Sequence, residues 1–180
     1  MSERVILVNE RDEAVGTAEK LRAHQRGQLH RAFSVFVLNG QDEILLQRRA
    51  ATKYHSPSLW SNSCCSHPRP AEATLDAAHR RLREELGFDC PLESMGAFVY
   101  RADVGGGLVE HEYDHLLLGR WEGEPTPAPA EVDDWRWISL PALRREIART
   151  PHRFTYWLRA ALRELDGRDA LPGTAADRVA

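Results

Sequence analysis

Two glutamates, Glu110 and Glu112, stand two residues apart in the stretch LVEHEYDH. In an extended strand that spacing puts both carboxylates on one face and turns His111 to the other. Three further histidines, His24, His30 and His67, lie in or beside segments able to bring imidazoles to the same place. Three nitrogen donors and two carboxylates form a mixed set suited to Mn²⁺, Fe²⁺ or Zn²⁺, and less comfortably to Mg²⁺. Each histidine taken alone is more often a surface or capping residue, and alternating glutamates are more often a solvated strand face. A second reactive feature lies at SNSCCSHPRP (61–70), where Cys64 and Cys65 are adjacent; the one other cysteine is Cys90. Neighbours in an extended segment point to opposite faces, so one thiol can meet a ligand while the other packs as a small apolar side chain. Adjacent cysteines also suit soft metal or a strained vicinal disulfide, which would make the chain a non-enzymatic metal or redox sensor.

A third feature follows the cysteines. Leu75, Ala78, Leu82 and Leu86 recur at helical spacing, and Gly87 supplies a stop. On that helix Arg81 and Glu85 share a face, as do Arg80 and Glu84. A carboxylate beside a guanidinium suits a Mg²⁺–diphosphate pair, the carboxylate holding the cation and the arginine the phosphate oxygens. A solvated helix laced with ion pairs has the same spacing.

The elements that must position these groups read as strands with a few helices. ERVILVN from Glu3 is a short strand; HRAFSVFVLNG from His30 ends at a turn, with EILLQRR as its hairpin partner. Residues 97–103 and 108–121 form two strands joined by the glycines 105–107. After a proline-rich loop, DDWRWIS is another strand, with Ser139 placed to cap the next helix. A last helix is expected from Thr150-Pro151 through HRFTYWLRAALREL, and the residues from 167 onward as a flexible tail. Strands and helices without strict alternation predict an α+β domain over 1–166, a mixed β-sheet sandwich flanked by helices.

With 180 residues and a formal net charge of −3, the chain carries no global basic field for nucleic acid or anionic membrane. No apolar run reaches the roughly 20 residues of a membrane span. Three cysteines and a charged N-terminus suggest a reduced, cytoplasmic protein. A monomer or weak homodimer acting on a small molecule is expected.

The helix segment resembles the Nudix box, with Glu72, Arg80, Leu82, Glu84, Glu85 and Gly87 in register. Ser66 stands where the box has its first glycine, and Arg81 where it has a glutamate. More widely, GTAEKLRAH, LHRAFSVF, LLQRRAATKYH, LWSNSCCSHP, RRLREELG, YRADVGGGLVEHEYDH and FTYWL resemble, in order, the type 1 isopentenyl-diphosphate isomerases, a metal-dependent family of Nudix fold. That resemblance implies metal ligands at His24, His30, His67, Glu110 and Glu112, with Mn²⁺, or Zn²⁺ or Mg²⁺, at that site. It implies a diphosphate-bridging Mg²⁺ at Glu85 with the Cys65 carbonyl, and phosphate-binding cations at Lys20, Arg49, Lys53 and Arg81. The implied reaction moves a double bond through a carbocation-like intermediate. Cys65 is expected as one proton-transfer group, Glu112 assisted by Tyr100 as the other, and Trp157 as a wall over the cation. The rival enzyme reading is a Nudix hydrolase of a nucleoside diphosphate derivative, favoured by Glu84 and Glu85 and opposed by Arg81.

Overall fold

The computed structural model describes residues 3–172. Its spine is β3 (His30–Leu38), which is buried along nearly its whole length. Such a strand must be covered on both faces, and its sequence is accordingly a near-continuous apolar run whose side chains point by turns to the two layers. Phe33, Val35 and Val37 face α2 (Thr74–Leu86), packing with Leu82 and Leu86. Phe36 and Leu38 face the opposite layer, made by α3 (Leu140–Arg149) and α4 (Tyr156–Gly167), where they meet Leu143, Leu158 and Leu162.

Along one edge β3 pairs in parallel with β8 (Leu108–Arg120), so that His30 lies level with Glu112. β8 turns back antiparallel onto β7 (Leu92–Gly105), longer than the strand expected at 97–103. β1 (Arg4–Val8) pairs with β2 (Ala14–Glu19) and touches β3 at His30. The nine strands among the described residues form a mixed sheet, and the α+β expectation holds.

The expected hairpin of β3 and β4 (Glu43–Arg49) closes only at its turn, where Leu38 faces Ile44. Beyond that pair the strands part. β4 pairs instead with β5 (Trp60–Ser61) and β9 (Val132–Ser139), while β6 (Cys64–Ser66) pairs with β3. The parting leaves backbone groups that must find partners. Ser63 supplies them: its Oγ accepts from Val37 N at 2.8 Å and donates to Leu45 O at 2.7 Å. Asn62 adds a bond from Nδ2 to Val35 O at 3.1 Å. The SNS segment is therefore a wedge that holds the sandwich open where the cysteines enter it.

Three local expectations are corrected. Ser139 occupies the N-cap position of α3 but its side chain makes no capping bond. Pro151–Arg153 form a separate 3₁₀ turn, and α4 begins at Tyr156, capped by the Thr155 side chain on Leu158 N. The chain beyond α4 is packed at least to Leu171, which is 3 % exposed, and Arg168 donates to the carbonyls of Met95 and Ala97 at 2.8 Å. Residues 173–180 of the expected tail lie outside the described residues.

Candidate active site

His30 opens β3, Glu112 is its neighbour on β8, and His67 directly follows β6. His24 comes from α1 (Lys20–Arg26), a short helix ended by Gly27 at φ 57. That left-handed turn favours glycine, and a Cβ there would press on Val109 at 3.3 Å. One ligand atom from each of His24, His30, His67 and Glu112 lies within 4.8 Å of the others, and all four residues are buried. His67 Nε2 is 2.9 Å from Glu112 Oε1 and 3.2 Å from His30 Nε2.

The imidazoles are oriented from behind. His30 Nδ1 donates to Gln28 O at 2.8 Å, which leaves the Nε2 lone pair for the cluster. His24 Nδ1 is 2.8 Å from Tyr54 Oη, while its Nε2 is buried with no hydrogen-bond partner. Burial first, then the neighbouring His67 and His30, pushes His24 down to about 3; burial pushes His67 to about 4 against the pull of Glu112. Neutral imidazoles and an orphaned buried nitrogen beside a carboxylate are the donor state a divalent ion requires. The residues fit a metal.

Glu110, expected as a fifth ligand, stands outside that group. Its Oε1 is 3.5 Å from His55 Nδ1, and its Oε2 is 3.0 Å from the hydroxyl of Tyr100. Tyr100 faces Glu112 across the β7–β8 pair and donates to its Oε2 at 2.6 Å. Burial and the Glu112 charge push Glu110 well up. Glu112 is also buried, but the imidazoles of His30 and His67, 3.5 and 2.9 Å from its Oε1, hold it well below the usual carboxylate range. The two neighbouring carboxyls are thus driven in opposite directions, Glu110 toward its protonated form and Glu112 toward its ionised one.

The alternation across β6 separates the two cysteines. Cys64 is wholly buried among Leu82 and Leu86, whereas Cys65 packs with Tyr100 and Trp157 and opens to a pocket. Burial pushes the Cys65 thiol up to about 12, so it is protonated at neutral pH. The cysteines share no face, and among the described residues neither belongs to the metal-ligand group, which removes the geometry a dithiol sensor needs.

Glu110, Glu112 and Trp157 line the same pocket as Cys65, and so do all four expected cations. Lys20 pairs with Glu3 at 3.1 Å and Lys53 with Glu131. Arg81 meets Glu84 and Glu85 at 2.7 Å and Glu131 at 3.2 Å. Arg49 donates to the carbonyls of Ser56 and His55 at 3.1 and 3.2 Å, and its guanidinium carbon lies 5.1 Å from the Trp157 ring centre. Glu85, 4 % exposed, also accepts from Gln47 at 3.0 Å. Arg80, outside the pocket lining, shares Glu84 with Arg81 at 3.1 Å and clamps Glu72 at 2.7 and 2.8 Å, fastening the loop before α2.

Four site residues were assigned no role from sequence. Tyr54 and His55 stand in TKYH beside Lys53, on a loop whose shape no periodicity reports. The His55 ring is 5.8 Å from Trp157, and burial pushes it down to about 2. Gln47 holds Glu85. Asp114 continues the alternation of Glu110 and Glu112 and accepts from Ser34 Oγ at 2.8 Å; that alternation was its legible signal.

The NUDIX domain model matches residues 28–165. The chain is 51 % identical over 176 residues to "Isopentenyl-diphosphate Delta-isomerase 2" of Aromatoleum aromaticum, covering 98 % of this chain and 93 % of the relative. It is 52 % identical over 157 residues to the Burkholderia multivorans "Isopentenyl-diphosphate Delta-isomerase", covering 87 % and 89 %. Among solved structures, a Burkholderia pseudomallei MutT NUDIX hydrolase superposes with TM-score 0.60 at 22 % identity, covering 76 % of this chain and 97 % of that one, which speaks to the fold alone. The chain belongs to the NUDIX superfamily and, within it, to the isopentenyl-diphosphate Delta-isomerase family.

Proposed function

We propose that this protein isomerises isopentenyl diphosphate to dimethylallyl diphosphate, a step of isoprenoid biosynthesis. The observation that carries the reading is one pocket lined by Cys65, Glu112 and Trp157 together with Lys20, Arg49, Lys53 and Arg81. It suits a substrate with an alkene at one end and a diphosphate at the other. Half-identity to relatives of that name supports it. His24, His30, His67 and Glu112 would hold Mn²⁺, with Zn²⁺ or Mg²⁺ as alternatives. Glu85, with the Cys65 carbonyl, would hold a Mg²⁺ that accompanies the diphosphate. When bound, these ions supply positive charge that offsets the phosphates and tunes the carboxyl groups.

The chain's own groups handle the protons. Cys65 on β6 and the Tyr100–Glu112 pair on β7 and β8 are the two proton-transfer sites. One delivers a proton to the terminal alkene carbon, leaving a tertiary cation. The other takes a proton from the methylene beside that cation, so the double bond moves with no net change in protons. Trp157 presents its indole to the cation, an attraction of roughly 0.5–2 kcal/mol. Buried walls keep water from capturing the intermediate. The substrate is a small diphosphate and the setting cytoplasmic, with a monomer or weak homodimer needing neither nucleic acid nor membrane. No helix among the described residues is long and apolar enough to cross a membrane.

Proton NMR in deuterated water tests the reading. Purified protein with isopentenyl diphosphate, Mg²⁺ and Mn²⁺ should yield deuterium-labelled dimethylallyl diphosphate. Released phosphate would instead establish a hydrolase, and unchanged substrate would exclude both activities.

A further inference from the structure

Two cations of the proposed phosphate rim, Lys53 and Arg81, meet on one oxygen of a carboxylate that lies outside the pocket lining. Lys53 Nζ pairs with Glu131 Oε2, and Arg81 Nη2 is 3.2 Å from that same oxygen. A single oxygen shared by an ammonium and a guanidinium is the arrangement a phosphate oxygen would adopt between them.

Glu131 is placed by its backbone rather than by a flexible reach. Its N–H donates to Ala128 O at 2.9 Å, and its carbonyl accepts from Ala50 N at 3.0 Å. Ala128 N in turn donates to Glu85 O at 2.9 Å. The residue therefore joins the end of α2, the loop that carries Lys53 and the start of β9. Its side chain is 25 % exposed, against 18 % for Arg81 and 24 % for Lys53, so the three charges are only partly screened by water.

We propose that Glu131 is a specificity-determining residue, an internal counter-anion that holds Lys53 and Arg81 and that an incoming phosphate must outcompete. The proposal rests on the reading of this rim as the diphosphate site. Arg81 is already satisfied on three sides, by Glu84, Glu85 and Glu131. A weakly charged anion gains little by displacing such partners. A metal-bound diphosphate, with more oxygens and more charge, gains enough. Glu131 thereby lowers the affinity of the rim for all phosphates and lowers it most for small ones, which keeps inorganic phosphate from filling the site.

Glu131→Gln removes the charge and keeps the shape, including both backbone bonds. The test is calorimetric binding of inorganic phosphate and of Mg²⁺–pyrophosphate, with circular dichroism to verify folding and Glu131→Ala as a second variant. Removing the internal competitor should tighten pyrophosphate binding by about five- to tenfold and inorganic phosphate binding by more than that, and an equal or smaller gain for phosphate overturns the specificity role. In turnover, KM for the diphosphate substrate should fall while kcat does not rise. Unchanged or weaker binding in the folded variants, with the wild type binding pyrophosphate normally, overturns the role of Glu131 alone. If wild-type protein binds no pyrophosphate, or Arg81→Gln leaves binding unaltered, the phosphate rim itself is wrong and this role falls with it.

Discussion

The adjacent cysteines show how one backbone alternation assigns two fates to one residue type. Cys64 is filler beneath α2, where burial and then the Glu85 charge strengthen its hold on the thiol proton. Cys65 stands with Tyr100 and Trp157 in the pocket. Cys64→Val should leave turnover within about twofold, because it swaps one small buried apolar group for another. Cys65→Val should abolish isomerisation while Mg²⁺–pyrophosphate still binds; appreciable turnover by that variant would remove Cys65 from the chemistry. Glu112 carries two duties, accepting from Tyr100 at 2.6 Å while facing His67 at 2.9 Å. Glu112→Gln should therefore lower both metal content, read by elemental analysis, and kcat. A metal-replete variant with full activity would contradict the double role.

At the scale of elements, the wedge between β3 and β4 matters more than its size suggests. Ser63→Ala would strand Val37 N and Leu45 O in a buried gap. A cost of about 1–3 kcal/mol is expected in urea unfolding, with a loss of activity because Cys65 hangs from the same segment. The sequence announced most of these elements. The alternation around Glu110 and Glu112, the helical spacing from Leu75 to Leu86 and the Asn39-Gly40 turn each report local geometry, and each was legible. The hairpin was legible as a turn but not as a partnership, since strand exchange at Leu38 depends on β8 and β9, far along the chain. β2 has an almost wholly exposed pattern, so it lacks the periodicity that betrays a strand. The loop bearing Tyr54 and His55 owes its shape to Arg49 donating to its carbonyls, a tertiary cause with no local signature. Convergence of the ligands was knowable beforehand only from family resemblance.

For the whole molecule, burying imidazoles makes acid a threat. The folded value of His67, about 4, lies below the ordinary 6.5. Its neutral form is therefore favoured by folding: the contribution is complete above 6.5 and is lost as pH falls toward 4. In metal-free protein, the difference in urea midpoint between wild type and His67→Asn should shrink across that window. A difference that stays constant through it would contradict the burial argument. Lastly, the parallel pairing that sets His30 beside Glu112 has a consequence in time. The donors come from α1, β3, the end of β6 and β8, so local contacts alone cannot assemble them, and closing such long loops is the slow part of folding. A refolding chain should regain its helical signal before it can capture a metal ion, and an ion supplied early should wait, unbound, for the last strand to arrive.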